Sequence, residues 1–491
     1  MKLTRTKRNI IYSLLFLLSA FLGAFFFSET TSPFYGDWGY DSAMFQTIGK
    51  YWAEGVLPYV GLFDHKGPII FFINAVGYAI AGRTGVFILQ VLFLAVTEAL
   101  AYKLLRATFS ERVSLPAALL LPVILAANWT EGNTTEEYIL PLLFASFLFM
   151  QKWCSEAESG EFAHASRGAF IYGLTFAFAL LTRVTNALGV CLGVAFIVIT
   201  LIAKKQWKNL FENAGAFILG AAALIAPFCI YFAAHGALYE MWYGTLLFNL
   251  DYSAASGTEL KSLLNQLILF RRNIAGWCLV FAAAWGLFFK KRGRITSAFW
   301  LIIALINTLF LYTLNDYAHY GICLLPFAYI ALTELKSGAL EEKRIKLSRE
   351  AAVAMAAVLL ISCSAKIIKD KTVVYPPQSR EDYGDDYMPL LAMIPEDERE
   401  SFIAFDCPRR LYLQSGLKPS FRFFTLQQWM SVNSDKFAEM LHTEFEESNV
   451  KWVLTFELYD VPLVTTDIIN EKYTHITSSE YGIYSLYHLN E

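Results

Sequence analysis

The stretch GLFDHKGPIIFFINAVG, residues 61–77, places Asp64, His65 and Lys66 in a row directly before an apolar run. If the chain spans a membrane, such a row either ends a membrane helix or belongs to a functional site at the membrane surface. A span at this point would invert every loop that follows, whereas a surface helix would leave those loops in place. The orientation of the whole chain therefore depends on this stretch.

The composition indicates a membrane protein. The chain has 491 residues, of which 56% are hydrophobic, 16% aromatic and only 17% charged, and its mean hydropathy is +0.42. This is too apolar for a soluble enzyme of the same length and predicts a polytopic α-helical membrane protein. The formal net charge of -3 provides no basic face, so nucleic acid is not an expected partner. The 7 cysteines lack metal or disulfide spacing and are interpreted as small core residues.

Apolar runs predict about 11 spans, several of them short for a bilayer. They cover residues 10–27, 86–105, 114–128, 138–151, 168–183, 186–203, 211–233, 272–290, 296–314, 318–334 and 350–365. The basic start MKLTRTKR and the later basic loops, such as RATFSER, AKKQWKN and KKRGR, then share the cytoplasmic face. This map requires the apolar part of residues 61–77 to be a surface or half-buried helix. It also places the C-terminus outside the cell.

Two domains are expected. Residues 1–365 would form the transmembrane domain, with a first outer loop at about 28–85, and residues 366–491 a small extracytoplasmic α/β domain, because the composition becomes charged and Pro-rich from about Lys366. In the second domain, SFIAFD and KWVLTFEL read as strands and SDKFAEMLHTEFEES reads as a helix.

Polar residues of the first outer loop have both structural and functional interpretations. DSAMFQTIGKYWAEG, residues 41–55, has the spacing of a surface helix that ends at Gly55. Asp41 is either the N-cap of this helix or a reactive carboxylate. Lys66 is either an interfacial anchor or, with His65 and the helix start at Pro68, a ligand for a phosphate.

Three further segments place polar residues at the same predicted face. In NWTEGNTTEEYILPL, Thr134 and Glu137 have capping-box spacing, while Glu136 and Glu137 add carboxylates at the outer end of a span. TRVTN contributes Arg183, and LNDYAHYGICLLPFAYIAL contributes His319 and Tyr320, either as interfacial anchors or as ligands. The predicted topology does not depend on these residues and places all of them on one side of the membrane, which favours a functional site there.

Together, Asp41, DHKGPIIFF, TEEYILP and HYGICLLP resemble the GT-C membrane glycosyltransferases. The nearest branch is the bacterial glycosyltransferase family 39-like group, related to protein O-mannosyltransferases and lipid A aminoarabinose transferases. The resemblance implies that Asp41 is the catalytic base and that Glu136 or Glu137 is a second carboxylate. It also implies that Lys66 helps to hold the donor phosphate. Because the departing phosphate needs cationic stabilisation, Arg183, His65, His319 and Tyr320 are further candidates for binding it. The chain departs from the family pattern at His65, where an acidic residue often stands, and at the inserted Gly67.

The expected reaction is transfer of a sugar from a polyprenyl-phosphate carrier, such as undecaprenyl phosphate, to an envelope glycan, lipid or protein. It would take place at the outer face of a bacterial cell membrane, with inversion at the anomeric carbon and membrane lipids around the enzyme. No cofactor is predicted with certainty, and a divalent metal held by carboxylates stays open. An oligosaccharide polymerase or ligase of the same superfamily, and a lipid or polysaccharide transporter, are the alternatives.

Overall fold

Residues 4–128, 131–255, 273–289, 293–313, 317–337, 386–456 and 463–490 are described by the structure, a computed structural model. Within them the chain is mostly helical, with one small sheet near its C-terminus. The predicted span at 350–365 and the predicted domain boundary at 366 lie outside the described residues, so both stay predictions.

Helices occupy most of the chain before the sheet. In chain order they are α1 (Arg5–Phe27), α2 (Asp41–Ala53), α3 (Pro68–Arg106), α4 (Glu111–Leu119), α5 (Leu121–Asn128), α6 (Thr135–Glu158), α7 (Ser166–Leu180), α8 (Leu188–Ala203), α9 (Trp207–Ala234), α10 (Leu238–Trp242), α11 (Phe248–Ala255), α12 (Ile274–Phe289), α13 (Arg294–Leu311) and α14 (Leu325–Ser337). Short 3₁₀ turns at Val184–Ala187 and Ala318–Leu324 precede α8 and α14, and a π-helical turn at Tyr243–Leu247 joins α10 to α11.

Six helical segments among the described residues are long and apolar enough to cross a membrane. They are Arg5–Phe27, Pro68–Arg106, Val184–Ala203, Trp207–Ala234, Arg294–Leu311 and Ala318–Leu335. Each overlaps a predicted span, so the prediction of a polytopic helical membrane protein is confirmed. The total of about 11 spans stays a prediction.

The chain divides into two compact units. The first, here called the membrane unit, comprises Met1–Gly36, Phe87–Ile230 and Thr258–Val373 as far as these are described. The second, here called the loop–sheet unit, comprises Asp37–Val86, Tyr231–Gly257 and Val374–Glu491 within the same limits. Most of the predicted first outer loop therefore groups with the C-terminal residues.

Close helix packing in the membrane unit depends on glycine. A Cβ on Gly173 in α7 would lie 2.0 Å from the carbonyl oxygen of Phe217, and one on Gly220 in α9 would lie 2.1 Å from that of Phe170. Helices α7 and α9 can therefore cross with their backbones in contact, as small residues allow in membranes.

Helix α2 in the loop–sheet unit has the predicted bounds, but most of its residues are buried, including the polar Gln46 and Thr47, so it is more enclosed than the predicted surface helix. Phe45 and Ile48 on its apolar face are buried, and the helix ends before Gly55, whose φ of 96° is the left-handed conformation that favours glycine. Asp41 is the first residue of the helix rather than its cap, because the N-cap position is taken by Tyr40.

Helix α3 begins at Pro68, as predicted, but it is not straight. Its backbone leaves helical geometry at Ala81 and at Gly82, where φ is 59° and ψ is −140°, a combination that only glycine adopts readily. After this break the chain folds back so closely that a Cβ on Gly85 would lie 1.9 Å from the carbonyl oxygen of Gly77. The apolar part of residues 61–77 is therefore a short helical segment separated from the longer helix after it.

The C-terminal residues form a four-stranded sheet. Its strands are β1 (Phe402–Phe405), β2 (Trp452–Phe456), β3 (Tyr473–Ser478) and β4 (Tyr484–Leu489), in the order β1-β2-β4-β3. β1 and β2 are parallel, and the other two pairs are antiparallel. The helices of this region are α15 (Met388–Leu391), α16 (Leu411–Ser415), α17 (Gln427–Asn433), α18 (Asp435–Glu446) and α19 (Thr466–Lys472).

The predicted α/β character of this region is confirmed in β1, β2 and α18. The side chain of Ser434 caps α18 by accepting a hydrogen bond from the backbone N–H of Phe437. The β3–β4 hairpin was not predicted, because β3 is mostly exposed and lacks an apolar run.

Candidate functional site

Asp41 forms an ion pair with Arg409 in the loop–sheet unit. Its carboxylate oxygen Oδ1 lies 2.6 Å from the guanidinium of Arg409, and the Asp41 side chain is 39% exposed. The same guanidinium lies 5.7 Å from the ring centre of Tyr40. The carboxylate is therefore held in a fixed position at the start of α2 while part of it stays accessible to solvent.

Arg409 is presented by the turn that follows β1. Asp406 opens this turn with a φ of 53°, and its carboxylate accepts hydrogen bonds from the backbone N–H of Gln428 at 3.0 and 3.2 Å. The backbone N–H of Asp406 in turn donates to the side-chain oxygen of Gln427 at 3.0 Å. These bonds fix the turn and thereby the direction of the arginine that follows it.

Asp64, His65 and Lys66 form a chain of polar contacts in the same unit. The Lys66 ammonium donates to Nε2 of His65 at 2.8 Å, and Nδ1 of His65 lies 3.5 Å from the Asp64 carboxylate. The other carboxylate oxygen of Asp64 accepts the backbone N–H of Lys66 at 2.9 Å. A neutral His65 with its proton on Nδ1 satisfies this geometry, because Nε2 must then accept.

Residues distant in sequence hold this tripeptide in place. The carbonyl oxygen of His65 accepts a hydrogen bond from Asn249 at 2.7 Å, and that of Lys66 accepts one from the hydroxyl of Tyr59 at 2.8 Å. The His65 ring packs against Trp429, with ring centres 5.2 Å apart. The tripeptide is thus fixed by its backbone and by ring contact, while the Lys66 side chain stays half-buried.

The electrostatics of the tripeptide favour a neutral histidine. Burial, followed by the positive charge of Lys66, lowers the pKa of His65 below its usual value. Burial alone would raise the pKa of Asp64, but the adjacent His65 and Lys66 lower it overall. The negative charge of Asp41 also acts on the His65 ring. Near neutral pH the tripeptide therefore carries one negative and one positive charge, with the positive charge on Lys66.

The membrane unit contains a second group of predicted site residues, here called the membrane-unit cluster. Its members are Glu136, Arg183, Asn186, His319 and Tyr320, and its contacts centre on Glu136 and Arg183. The carboxylate of Glu136, 2% exposed, lies 3.0 Å from the guanidinium of Arg183, and its other oxygen accepts the hydroxyl of Thr135 at 2.9 Å. Arg183 also lies 3.3 Å above the ring of Tyr320, whose ring centre is 4.6 Å from that of His319. This stacking and pairing leave the guanidinium largely enclosed.

Glu137 has a different environment from its neighbour. Its carboxylate completes the predicted capping box by accepting the backbone N–H of Thr134 at 3.1 Å, while its own N–H donates to the Thr134 hydroxyl. Its second oxygen accepts the side-chain amide of Gln90 at 3.2 Å. The geometry therefore engages Glu137 in helix capping and directs Glu136 toward Arg183.

Replacing Arg183 by alanine is expected to destabilise the membrane unit by about 3 kcal/mol, because it leaves the Glu136 carboxylate buried without its cation. Glu136→Gln in the same background should recover part of the loss. Thermal unfolding of the purified protein in detergent measures both. Lys152→Ala is the matched control, since its pair with Glu156 is exposed and should contribute almost nothing. An unchanged unfolding temperature for Arg183→Ala would contradict the importance of this pair.

A resident metal has no ready-made site among the described residues. No three His, Cys, Asp or Glu side chains within those ranges are grouped so that they could hold a metal ion.

Three residues of the loop–sheet unit that contact Asp41 or His65 were not predicted from the sequence. Arg409 and Trp429 belong to the C-terminal region, and Asn249 belongs to α11. The available signal was the arginine pair in FDCPRR, directly after the predicted strand SFIAFD. Polar residues at the carboxyl end of a parallel strand are favoured positions for function.

Two solved structures are reported as similar to this chain. ArnT from Cupriavidus metallidurans, in the apo state, matches with a TM-score of 0.55 and 12% identity over 98% of this chain and 98% of that chain. The archaeal oligosaccharyltransferase AglB from Archaeoglobus fulgidus, in complex with an inhibitory peptide and a dolichol-phosphate, matches with a TM-score of 0.46 and 12% identity over 99% of this chain and 75% of that chain. No curated protein matches the chain.

The likeness to ArnT shows the fold, and the six apolar helices agree with it: the chain is a multi-pass membrane protein with the GT-C fold that the resemblance in its sequence predicted. Residues 3–363 match the competence-induced protein Ccs4 N-terminal domain, and the chain belongs to that family.

Proposed function

We propose that this protein is a membrane glycosyltransferase that moves a sugar from a polyprenyl-phosphate carrier to a hydroxyl of a cell-envelope acceptor. The observation that carries the proposal is the presence of the Asp41–Arg409 pair and the Lys66 ammonium in one compact unit of a GT-C fold. The resemblance of the sequence to GT-C enzymes assigns the catalytic carboxylate and the phosphate ligand to Asp41 and Lys66.

The proposed reaction needs one base and one cation. The acceptor oxygen attacks the anomeric carbon and forms the new glycosidic bond, and Asp41 takes the proton from that oxygen. The bond between the anomeric carbon and the phosphate oxygen breaks, and the phosphate leaves with the electron pair. Attack and departure on opposite faces of the sugar invert the anomeric configuration.

Lys66 is proposed to stabilise the departing phosphate. A phosphate monoester is already a good leaving group, so a cation contributes more than a general acid would. The ammonium makes its contact with a neutral His65 rather than with a carboxylate, which leaves its positive charge available to an anionic ligand. His65 is thus assigned to positioning of Lys66, with Asp64 orienting the ring.

The membrane-unit cluster is assigned a supporting part. Glu136 is the proposed second carboxylate, since Glu137 is engaged in helix capping. Arg183, His319 and Tyr320 remain candidates for binding phosphate, although the Arg183 charge is already balanced by Glu136. A bacterial cell membrane, a cytoplasmic N-terminus and an outer-face C-terminal domain belong to the same proposal.

Purified protein in lipid nanodiscs tests the proposal. Donor lipids that carry a radiolabelled monosaccharide on undecaprenyl phosphate should lose the label to envelope acceptors, with undecaprenyl phosphate as the second product. The alternatives give other results: a polymerase or ligase would use only an oligosaccharide on a diphosphate carrier, and a transporter would move labelled lipid across a liposome without transfer. Either result would overturn the proposal.

A further inference from the structure

A groove runs between α7, α8 and α9 of the membrane unit, and neither Glu136 nor Arg183 is among its lining residues. It encloses about 250 Å³ and is lined almost entirely by apolar side chains, among them Val194 and Val198 on α8 and Ala214 and Ile218 on α9. Ile218 is 65% exposed, so the groove is open at its edge. An engineered cavity of about 150 Å³ already binds small apolar molecules, so this one suits a hydrocarbon segment.

Three polar residues, His164, Tyr172 and Asn213, are also among the lining residues, and their polar atoms bond to one another. Nδ1 of His164 lies 2.7 Å from the Asn213 amide oxygen, and Nε2 lies 2.9 Å from the Tyr172 hydroxyl. The backbone N–H and carbonyl of His164 bond to the side chain of Asn209 at 2.8 and 2.9 Å. Because these ring nitrogens and backbone groups already have partners, the groove offers a ligand little more than apolar contact.

Basic residues lie close to one end of the groove. Lys204, Lys205 and Lys208 lie at the α8–α9 turn, directly after Leu201 and before Leu210, which both line the groove. Acidic side chains lie nearby as well: Glu212 is 3.9 Å from Lys208, Glu161 is exposed in the loop before α7, and Glu156, which pairs with Lys152, acts on the His164 ring. At the turn itself the three lysines outnumber Glu212. The ammonium of Lys204 lies 4.2 Å above the ring of Phe162.

We propose that this groove binds one acyl chain of an anionic phospholipid whose headgroup phosphate contacts Lys204 and Lys205. Apolar walls provide a place for the chain, and excess positive charge at the turn attracts an anionic headgroup over a zwitterionic one. Exposed Trp207 at the same turn marks the level of the headgroups. This binding site does not depend on the proposed transfer reaction. It lies in the leaflet next to the basic turn, which is the cytoplasmic leaflet in the predicted topology.

Photocrosslinking of the full chain in nanodiscs tests the site. The probe is phosphatidylglycerol with a diazirine in one acyl chain, compared with phosphatidylcholine that carries the same chain. We expect labelled peptides from residues 194–198 and 214–218, with phosphatidylglycerol preferred about fivefold to tenfold. The substitutions Lys204→Gln, Lys205→Gln and Lys208→Gln together should remove the preference while leaving the phosphatidylcholine level of labelling.

Matched variants on α8 separate the groove from ordinary lipid contact. Val194→Phe fills the groove and should abolish its labelling, whereas Ile199→Phe, at an exposed position outside the lining, should leave labelling unchanged. Unlabelled phosphatidylglycerol should reduce labelling of the groove in the unaltered protein. This competition tests the site even if one of the variants fails to fold. Equal labelling by both lipids, or competition by undecaprenyl phosphate but not by phosphatidylglycerol, would overturn the proposal.

Discussion

Replacing Asp41 by asparagine is expected to lower turnover about 10²–10⁴-fold, the usual contribution of a positioned general base. The amide has nearly the same shape as the carboxylate but takes no proton from the acceptor hydroxyl. Binding of the donor should change little, because the phosphate is assigned to Lys66. Single-turnover loss of label from the donor lipid in nanodiscs measures the effect, and donor titration measures the binding.

Two further variants show whether the loss comes from the missing base. Asp435→Asn is the matched control: Asp435 is also the first residue of a helix in the loop–sheet unit, and it is exposed. Arg409→Gln removes the cation that holds Asp41 but keeps the base, so we expect a loss of about tenfold only. Turnover near the wild-type value in Asp41→Asn would refute the assignment. If Asp41→Asn and Arg409→Gln lowered turnover equally, the ion pair would matter only for structure, and Asp41 would not be the base.

Local features of the fold could be predicted where the signal lies within a few residues. The apolar spacing of α2 and Gly55 after its end predict that helix. The spacing of Thr134 and Glu137 predicts the capping box of α6. Strands β1 and β2 are short apolar runs in a charged region. Each of these elements is defined by hydrogen bonds or by a buried face among near neighbours in sequence. A few consecutive residues are therefore sufficient to predict it.

Contacts between distant residues could not be predicted in this way. Arg409 meets Asp41 across 368 positions, and nothing near Asp41 indicates that a cation from the C-terminal region will pair with it. The sequence also did not predict that Glu136 pairs with Arg183 while Glu137 caps α6. Adjacent helical residues point about 100° apart, so their roles depend on which face of α6 meets Arg183. Only the packed structure contains that information.

Replacing Lys66 by glutamine is expected to lower kcat/KM about 10²–10³-fold, the effect of removing one group that stabilises developing charge. The glutamine amide can still donate to Nε2 of His65, so the tripeptide should keep its shape while its positive charge is lost. Lys66→Arg keeps the charge and should recover part of the activity, limited by the different geometry of a guanidinium. Rates of donor consumption at several donor concentrations measure these effects.

The control for Lys66 must separate its charge from its contact with histidine. His65→Gln keeps an acceptor near the ammonium and should lose much less activity than Lys66→Gln, because the cation itself remains. Lys50→Gln, in the last turn of α2, removes a lysine elsewhere in the same unit and should be neutral. If His65→Gln were as inactive as Lys66→Gln, the histidine would have to act on the reaction directly. If Lys66→Gln were fully active, the donor phosphate would have to be held by other cations, and Arg409 would become the first candidate because its charge already lies beside Asp41.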